Sequence, residues 1–269
     1  MNMDTQLLLI CALTFVIHVI GTLAYAASIA GVQTGRIAMA SALFNSLGLL
    51  SRTANAVQAP LLAKRIEGNL LTGALGHAEA DFRWLILATA LATFVGGLFI
   101  PTFHRMLSAA IVGLTKYRSM PQLMLHAFSR MGVSHLRESV RVPKMEAVTT
   151  LRRGERLSLR IVLANVFVTA IWTVGVLSAL YAGYLAPELR VTASSLSALV
   201  NGIATIVLFL FVDPYLSILT DDVLNGYKSE AMFRRSVVWL IVSRFVGNLA
   251  AQVLLIPAAY AIVTIARAI

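Results

Sequence analysis

Residues 41–60 read SALFNSLGLLSRTANAVQAP. The stretch is apolar enough for a bilayer, yet it carries Asn45, Arg52, Asn55 and Gln58. On a helix, Ser41, Asn45, Gly48, Arg52, Asn55 and Ala59 follow at spacings of four and three, which puts them on one face. The remaining positions are mostly Ala, Leu, Val and Phe. This is the pattern of a membrane helix with a polar stripe and a cation near its middle. An arginine at bilayer depth costs about 3 kcal/mol on insertion scales unless it is paired or faces water. Arg52 is therefore either bonded to a neighbouring helix or part of a path for an anion.

Outward from that helix, the composition agrees. Hydrophobic residues make up 58% of the 269 and charged residues 13%, and the mean hydropathy is +0.81. That profile is polytopic and all-α, not that of a soluble domain. At about 20 apolar residues per crossing, the length accommodates roughly six spans with short loops. The single cysteine, Cys11, forms no intramolecular disulfide. Metal-ligand spacing, a Gly-rich phosphate loop and a nucleophile elbow are all missing from the sequence, so no metal, cofactor or covalent catalysis is expected. A net charge of +10 in such a chain reads as basic loops facing anionic lipid, not as a nucleic-acid surface.

The expected spans cover about residues 6–28, 37–63, 82–113, 161–186, 191–212 and 236–265. Ala24-Tyr25-Ala26 imitates a signal-peptide cleavage site, but the preceding segment carries Asp4 and no Lys or Arg, so the first span reads as a retained helix. Thr14, His18, Gly21, Tyr25 and Ser28 share a face there, with His18 either an interhelical donor or a ligand group. Residues 31–36 read as a turn, and Pro101 is expected to kink or break the third span. Residues 115–160 form a basic connector, with an amphipathic helix expected at 121–131. Asp213-Pro214 closes the fifth span, and a loop with Asp221 and Asp222 follows. Arg244, Asn248 and Gln252 make a second polar stripe at i+4 spacing on the sixth; Arg244 is near enough to the helix end to snorkel.

Lysines and arginines are unevenly shared: fifteen lie in the connections of one side, five on the other, and Arg52 and Arg244 within spans. The richer side is expected in the cytoplasm, with both termini outside. Four short matches suggest an internal repeat: Ser41–Asn45 with Ser197–Asn201, Phe94–Gly96 with Phe245–Gly247, Phe15-Val16 with Phe167-Val168, and Gln58–Pro60 with Val212–Pro214, at offsets of 151 to 156. They link spans one to four, two to five and three to six. Units 1–114 and 161–269 would each hold three spans, an odd number, so they would be inverted relative to one another. Gly48 and Gly202 are expected to allow close helix approach.

Five runs then carry a resemblance: Thr22–Tyr25, Ala30–Gly35, Leu43–Asn45, Ser51–Asn55 with Gln58–Pro60, and Asn201–Thr205 continued by Phe211–Asp222 (FVDPYLSILTDD). Over nearly the whole chain the sequence resembles the Amj family of bacterial lipid II flippases, the alternate to MurJ. The resemblance implies movement of an undecaprenyl-diphosphate-linked disaccharide-pentapeptide from the inner to the outer leaflet of the cytoplasmic membrane, for cell wall synthesis. It also implies an acidic residue at position 21 and an arginine at position 33, where this chain has Gly21 and Gln33. Such cargo needs no covalent chemistry, so the protein is not expected to be an enzyme. Arginine meets phosphate oxygens with a fork of donors, and Asn and Gln serve sugar hydroxyls and amides. The candidate substrate-binding residues are Arg52, Arg244, Asn45, Asn55, Gln58, His18, Asn201, Asn248, Gln252 and Asp213. Expected partners are lipid II, anionic membrane lipids and, as one further option, a second copy of the chain. A secondary transporter of a small anionic solute, or of another polyprenyl phosphate lipid, would use the same cations. A membrane-embedded enzyme would need an acid pair, and none is placed for catalysis. A non-transporting scaffold would tolerate loss of Arg52.

Overall fold

The computed structural model describes residues 4–71, 78–117 and 157–269. The side chains of Arg52, Asn55, Ala56, Ala59 and residues 114–117 lie outside that description. So do the amphipathic helix expected at 121–131 and most of the basic connector.

Every regular element among the described residues is helical. Helix α1 spans Thr5–Thr34, α2 Ile37–Leu71 and α3 Ala78–Tyr117. Helix α4 spans Leu159–Leu185, and a 3-10 turn, Pro187–Leu189, leads into α5, Arg190–Val207. A π-helical turn, Leu208–Val212, joins α5 to α6, Asp213–Leu224, and α7 spans Glu230–Ala268. Among the described residues, five segments are long and apolar enough to cross a membrane: α1, α3 as far as Gly113, α4, the composite Pro187–Leu224, and α7. Helix α2 has a shorter apolar stretch, Ile37–Ser51, before Arg52 and the charged turns beyond it.

Several elements run further than their sequence suggests. Helix α1 continues through the expected turn because only Gly35, at φ 65°, adopts the left-handed conformation that ends a helix. Gly31 stays helical and lets α2 pack close; a Cβ there would lie 2.5 Å from the Cβ of Ala40. Helix α2 extends to Leu71, with Pro60 inside it, and α3 passes unbroken through Pro101. Asp213-Pro214 does not end its helix. The Asp213 N–H bonds to the Leu208 carbonyl five residues back, and the widened turn makes room for a proline that cannot donate. Pro214 then occupies the first turn of α6, where no donor is needed, and Asp221 and Asp222 are helical.

Contacts fix the relative directions. Arg65 meets Asp4 and Gln58 meets Thr14, so α2 runs antiparallel to α1. Asp4 and Asp81 share Arg65, while Thr22 packs on Gly96, so α1 and α3 are parallel. Asn165 meets Leu240 and Thr173 meets Asn248, so α4 and α7 are parallel. Arg83 meets Gln252 and Gly97 meets Ile241, so α3 and α7 are antiparallel. Phe94 and Phe245 pack ring to ring across that central pair, with centroids 5.9 Å apart.

Of four apolar clusters among the described residues, the two largest fill the bundle. One gathers Leu7, Phe82, Leu85, Ile86, Val174 and Leu255; the other gathers Ala26, Ile29, Ile100, Phe233, Val237 and Ile241. Helices α2, α5 and α6 are peripheral. Leu49, Leu50, Val57, Leu199, Phe209 and Leu210 are more than half exposed, as lipid-facing side chains would be.

A polar layer at mid-bundle as the candidate functional site

Between the two apolar clusters lies a layer of polar side chains. Helix α1 contributes Thr14, His18 and Thr22, α3 Thr89 and Thr93, α4 Asn165, Thr169 and Thr173, and α7 Ser243, Arg244 and Asn248. Most of these groups bond to one another. Asn248 is fully buried; its Nδ2 donates to Thr93 Oγ1 at 2.7 Å, and its Oδ1 accepts from Thr173 Oγ1 at 2.8 Å. It thus ties α3, α4 and α7 together, and its hydrogen-bonding capacity is spent inside the bundle. Asn165 donates to the Leu240 carbonyl at 2.8 Å and to Ser243 Oγ at 2.7 Å. Sequence reasoning missed Asn165, although Asn165, Thr169 and Thr173 at i+4 spacing form a stripe like those it did find.

Arg244 and His18 stand apart from this satisfied network. Arg244 lies fourteen residues into α7, about 21 Å along the axis from Glu230. It does not snorkel to the helix end: Nη2 rests against α1 at Gly21, 3.5 Å from where a Cβ would be. Its Nε is buried, and among the described residues neither a hydrogen bond nor an ion pair reaches the guanidinium. His18 is one turn before Gly21, on the same face of α1. Its buried Nδ1 likewise has no hydrogen-bond partner among the described residues. On α2, Ser51 Oγ donates to the Ile17 carbonyl at 3.1 Å, so the helical turn that carries Arg52 runs beside the His18 turn of α1.

The other candidates are more scattered. Gln58 is buried and donates to Thr14 Oγ1. Asn45 is exposed on α2, nearer the Gly35 turn. Asn201 packs its Oδ1 against Gly175 of α4, in a place where any Cβ would collide, and that oxygen has no hydrogen-bond partner among the described residues. Asp213 is half-buried beside the π-helical turn. Gln252 lies at the end of the α3–α7 contact, where its Nε2 donates to the Arg83 carbonyl at 2.9 Å and its own carbonyl accepts from Arg83 Nη1 at 3.1 Å. The structure thus brings Arg244 onto the α1 face that carries Gly21 and His18, with Asn248 one turn further along α7.

Close approaches fall elsewhere than expected. Gly48 and Gly202 have open space around them. Gly96 lies where a Cβ would be 2.8 Å from Thr22 Cβ and 3.4 Å from the Val19 carbonyl. Gly247 lies where a Cβ would be 2.8 Å from Thr169 Cβ and 2.6 Å from the Val166 carbonyl. The same pair of contacts therefore seats α3 on α1 and α7 on α4.

At the α1 N-terminal end, Arg65 bridges Asp4 at 2.6 Å and Asp81 at 2.7 Å, clamping α1, α2 and α3. The hydrogen bond from Arg65 holds the Asp4 carboxyl below the usual carboxylate range. Burial works against the Arg65 charge, but the two carboxylates outweigh it and raise its pKa.

An all-helical chain of spanning length, whose core holds one cation without an acidic partner among the described residues, belongs to the class of polytopic membrane proteins with a polar centre. The family model described as Amj, Alternate to MurJ, matches residues 13–266. The chain is also 39% identical over 260 residues to the Lipid II flippase Amj of Bacillus subtilis (strain 168), covering 95% of each chain. No solved structure matches it. The chain belongs to the Amj family.

Proposed function

We propose that this chain moves lipid II from the inner to the outer leaflet of the cytoplasmic membrane. The observation that carries this reading is the 39% identity, along 95% of both chains, to a protein named as a lipid II flippase. The physics of the bundle fits such cargo. The diphosphate needs cationic donors inside hydrocarbon, which Arg244 and Arg52 offer, while the prenyl tail needs only lipid. The peripheral helices α2, α5 and α6 with their exposed apolar faces are the natural places for a tail to run. Outward passage of negative charge gains about 2.3 kcal/mol per charge per 100 mV of inside-negative potential. Translocation then proceeds without a covalent step, and the protein is a carrier, not an enzyme.

Six crossings with both termini outside are part of the same proposal. So is an inverted repeat, α1–α3 against α4–α7. It is supported by the antiparallel α3–α7 pair, by Phe94 meeting Phe245, and by the matching seats of Gly96 and Gly247. Those seats equate Val19 with Val166 and Thr22 with Thr169, an offset of 147, so the Phe15–Phe167 match falls out of this register. Basic connections facing anionic lipid complete the arrangement.

The test is flipping of fluorescent lipid II by pure protein in liposomes. Wild type is expected to flip it. Arg52→Ala is expected to abolish flipping while inserting and melting like wild type, and Arg52→Lys to restore it only in part, because an ammonium keeps the charge and loses the fork. Wild-type liposomes that take up a soluble anion but leave lipid II unmoved would reject the reading.

A further inference from the structure

We propose that Arg244 and His18 form a single oxyanion-binding centre in the middle of the bundle, open at Gly21, which takes a phosphate or diphosphate group. The assignment deepens the flippase reading and rests on it for the identity of the cargo. Three observations carry it. First, the two buried nitrogens, Arg244 Nε and His18 Nδ1, have no hydrogen-bond partner among the described residues, whereas Asn165 and Asn248 in the same layer are satisfied. A buried polar group left unmatched costs about 1–3 kcal/mol, and more when it is charged, so this pair is expensive unless something binds there. Second, the groups converge from different helices. Arg244 projects from α7 onto the α1 face that carries His18 and Gly21, which are three residues apart. Third, Gly21 presents no side chain to the guanidinium: a Cβ there would be in ordinary contact with Nη2 at 3.5 Å, so at least a methyl-sized space adjoins the charge.

The chemistry selects the ligand class. A guanidinium offers several donors and no acceptor, and imidazole offers a donor at Nδ1 in one neutral tautomer and in its charged form. In those forms the imidazole, like the guanidinium, asks for an acceptor, and the positive charge of Arg244 asks for an anion. A phosphate group supplies several oxygens to such a fork. It could arrive as the headgroup of a polyprenyl diphosphate lipid or as a free anion.

The experiment uses the full chain in detergent with two probes, inorganic pyrophosphate and undecaprenyl diphosphate. Binding is read by thermal shift and by the ¹⁵N resonances of the His18 imidazole, with His18→Gln used only to assign them. At least one probe is expected to raise the Tm and move the His18 resonances. Response to the lipid alone identifies a headgroup site; response to pyrophosphate as well identifies an oxyanion site open to free anions. Arg244→Gln is expected to raise the half-saturating concentration roughly tenfold or more, Arg244→Lys less, and Arg267→Gln, at the exposed helix end, not at all. The proposal is overturned if neither probe moves the His18 resonances of wild type, a result that needs no variant to fold. It is also overturned if Arg244→Gln binds like wild type. Lipid II flipping by wild type is measured in parallel. Binding without flipping keeps the centre and rejects the flippase reading; flipping with an unresponsive His18 does the reverse.

Discussion

At the scale of single residues, polar groups in the low-dielectric core divide into those that bond helices together and those without a hydrogen-bond partner among the described residues. Asn248 and Arg244 lie four apart on one helix and fall on opposite sides of that division. Asn248→Ala removes two short side-chain hydrogen bonds and is expected to cost about 1–2 kcal/mol, the upper range for interhelical bonds in membranes. Its flipping rate per folded molecule should stay within about twofold of wild type, because on this reading Asn248 braces α3, α4 and α7 and does not touch cargo. Tm in detergent beside liposome flipping checks it. A large loss of flipping at unchanged Tm would put Asn248 back among the binding residues.

At the scale of helices, glycine decides how closely they pack. Gly247→Ala pushes a methyl group against the Val166 carbonyl and Thr169, atoms that cannot swing away, and is expected to destabilise by about 1–3 kcal/mol. Gly202→Ala enters open space and should be neutral or stabilising by up to about 1 kcal/mol through helix propensity. Thermal melts of the two variants, side by side, test whether the seats are where the structure puts them. The Asp4–Arg65–Asp81 clamp gives a pH signature. The folded state lowers the Asp4 pKa, so its contribution is complete above the ordinary carboxylate pKa and fades as pH drops through the folded value. Stability is therefore expected to fall below about pH 4, and Asp4→Asn to flatten that part of the curve. Arg65→Gln should cost more than Asp4→Asn at neutral pH, because it leaves the buried Asp81 without its cation.

At the scale of the whole molecule, orientation is the property that matters for a carrier. Glu188 lies between α4 and α5, and Tyr227 lies between α6 and α7; both are exposed. The Lys/Arg asymmetry puts them on opposite sides of the membrane. Glu188→Cys is expected to react with an impermeant thiol reagent in intact cells, and Tyr227→Cys only after permeabilisation. The native Cys11 is buried and adds little background. The reverse pattern would invert the orientation, and with it the direction of transport expected from the membrane potential.

The sequence alone determined the class of the molecule, because the need to satisfy backbone groups in hydrocarbon leaves helices as the solution for long apolar runs. It also located the polar stripes, since helical spacing is written into residue order: Arg244, Asn248 and Gln252 were all legible at i+4. What it could not say was what each stripe faces. Three residues of one stripe end in three settings: Arg244 against Gly21, Asn248 inside a three-helix network, and Gln252 paired with Arg83. Helix ends were also hidden, because Pro101 and Pro214 look like breaks until neighbours and a π-helical turn accommodate them. Close approach at Gly96 and Gly247, not at Gly48 and Gly202, depends on which faces meet. Facing is set by the packing of helices distant in sequence, and only the tertiary structure brings Arg244 of α7 to the Gly21 face of α1.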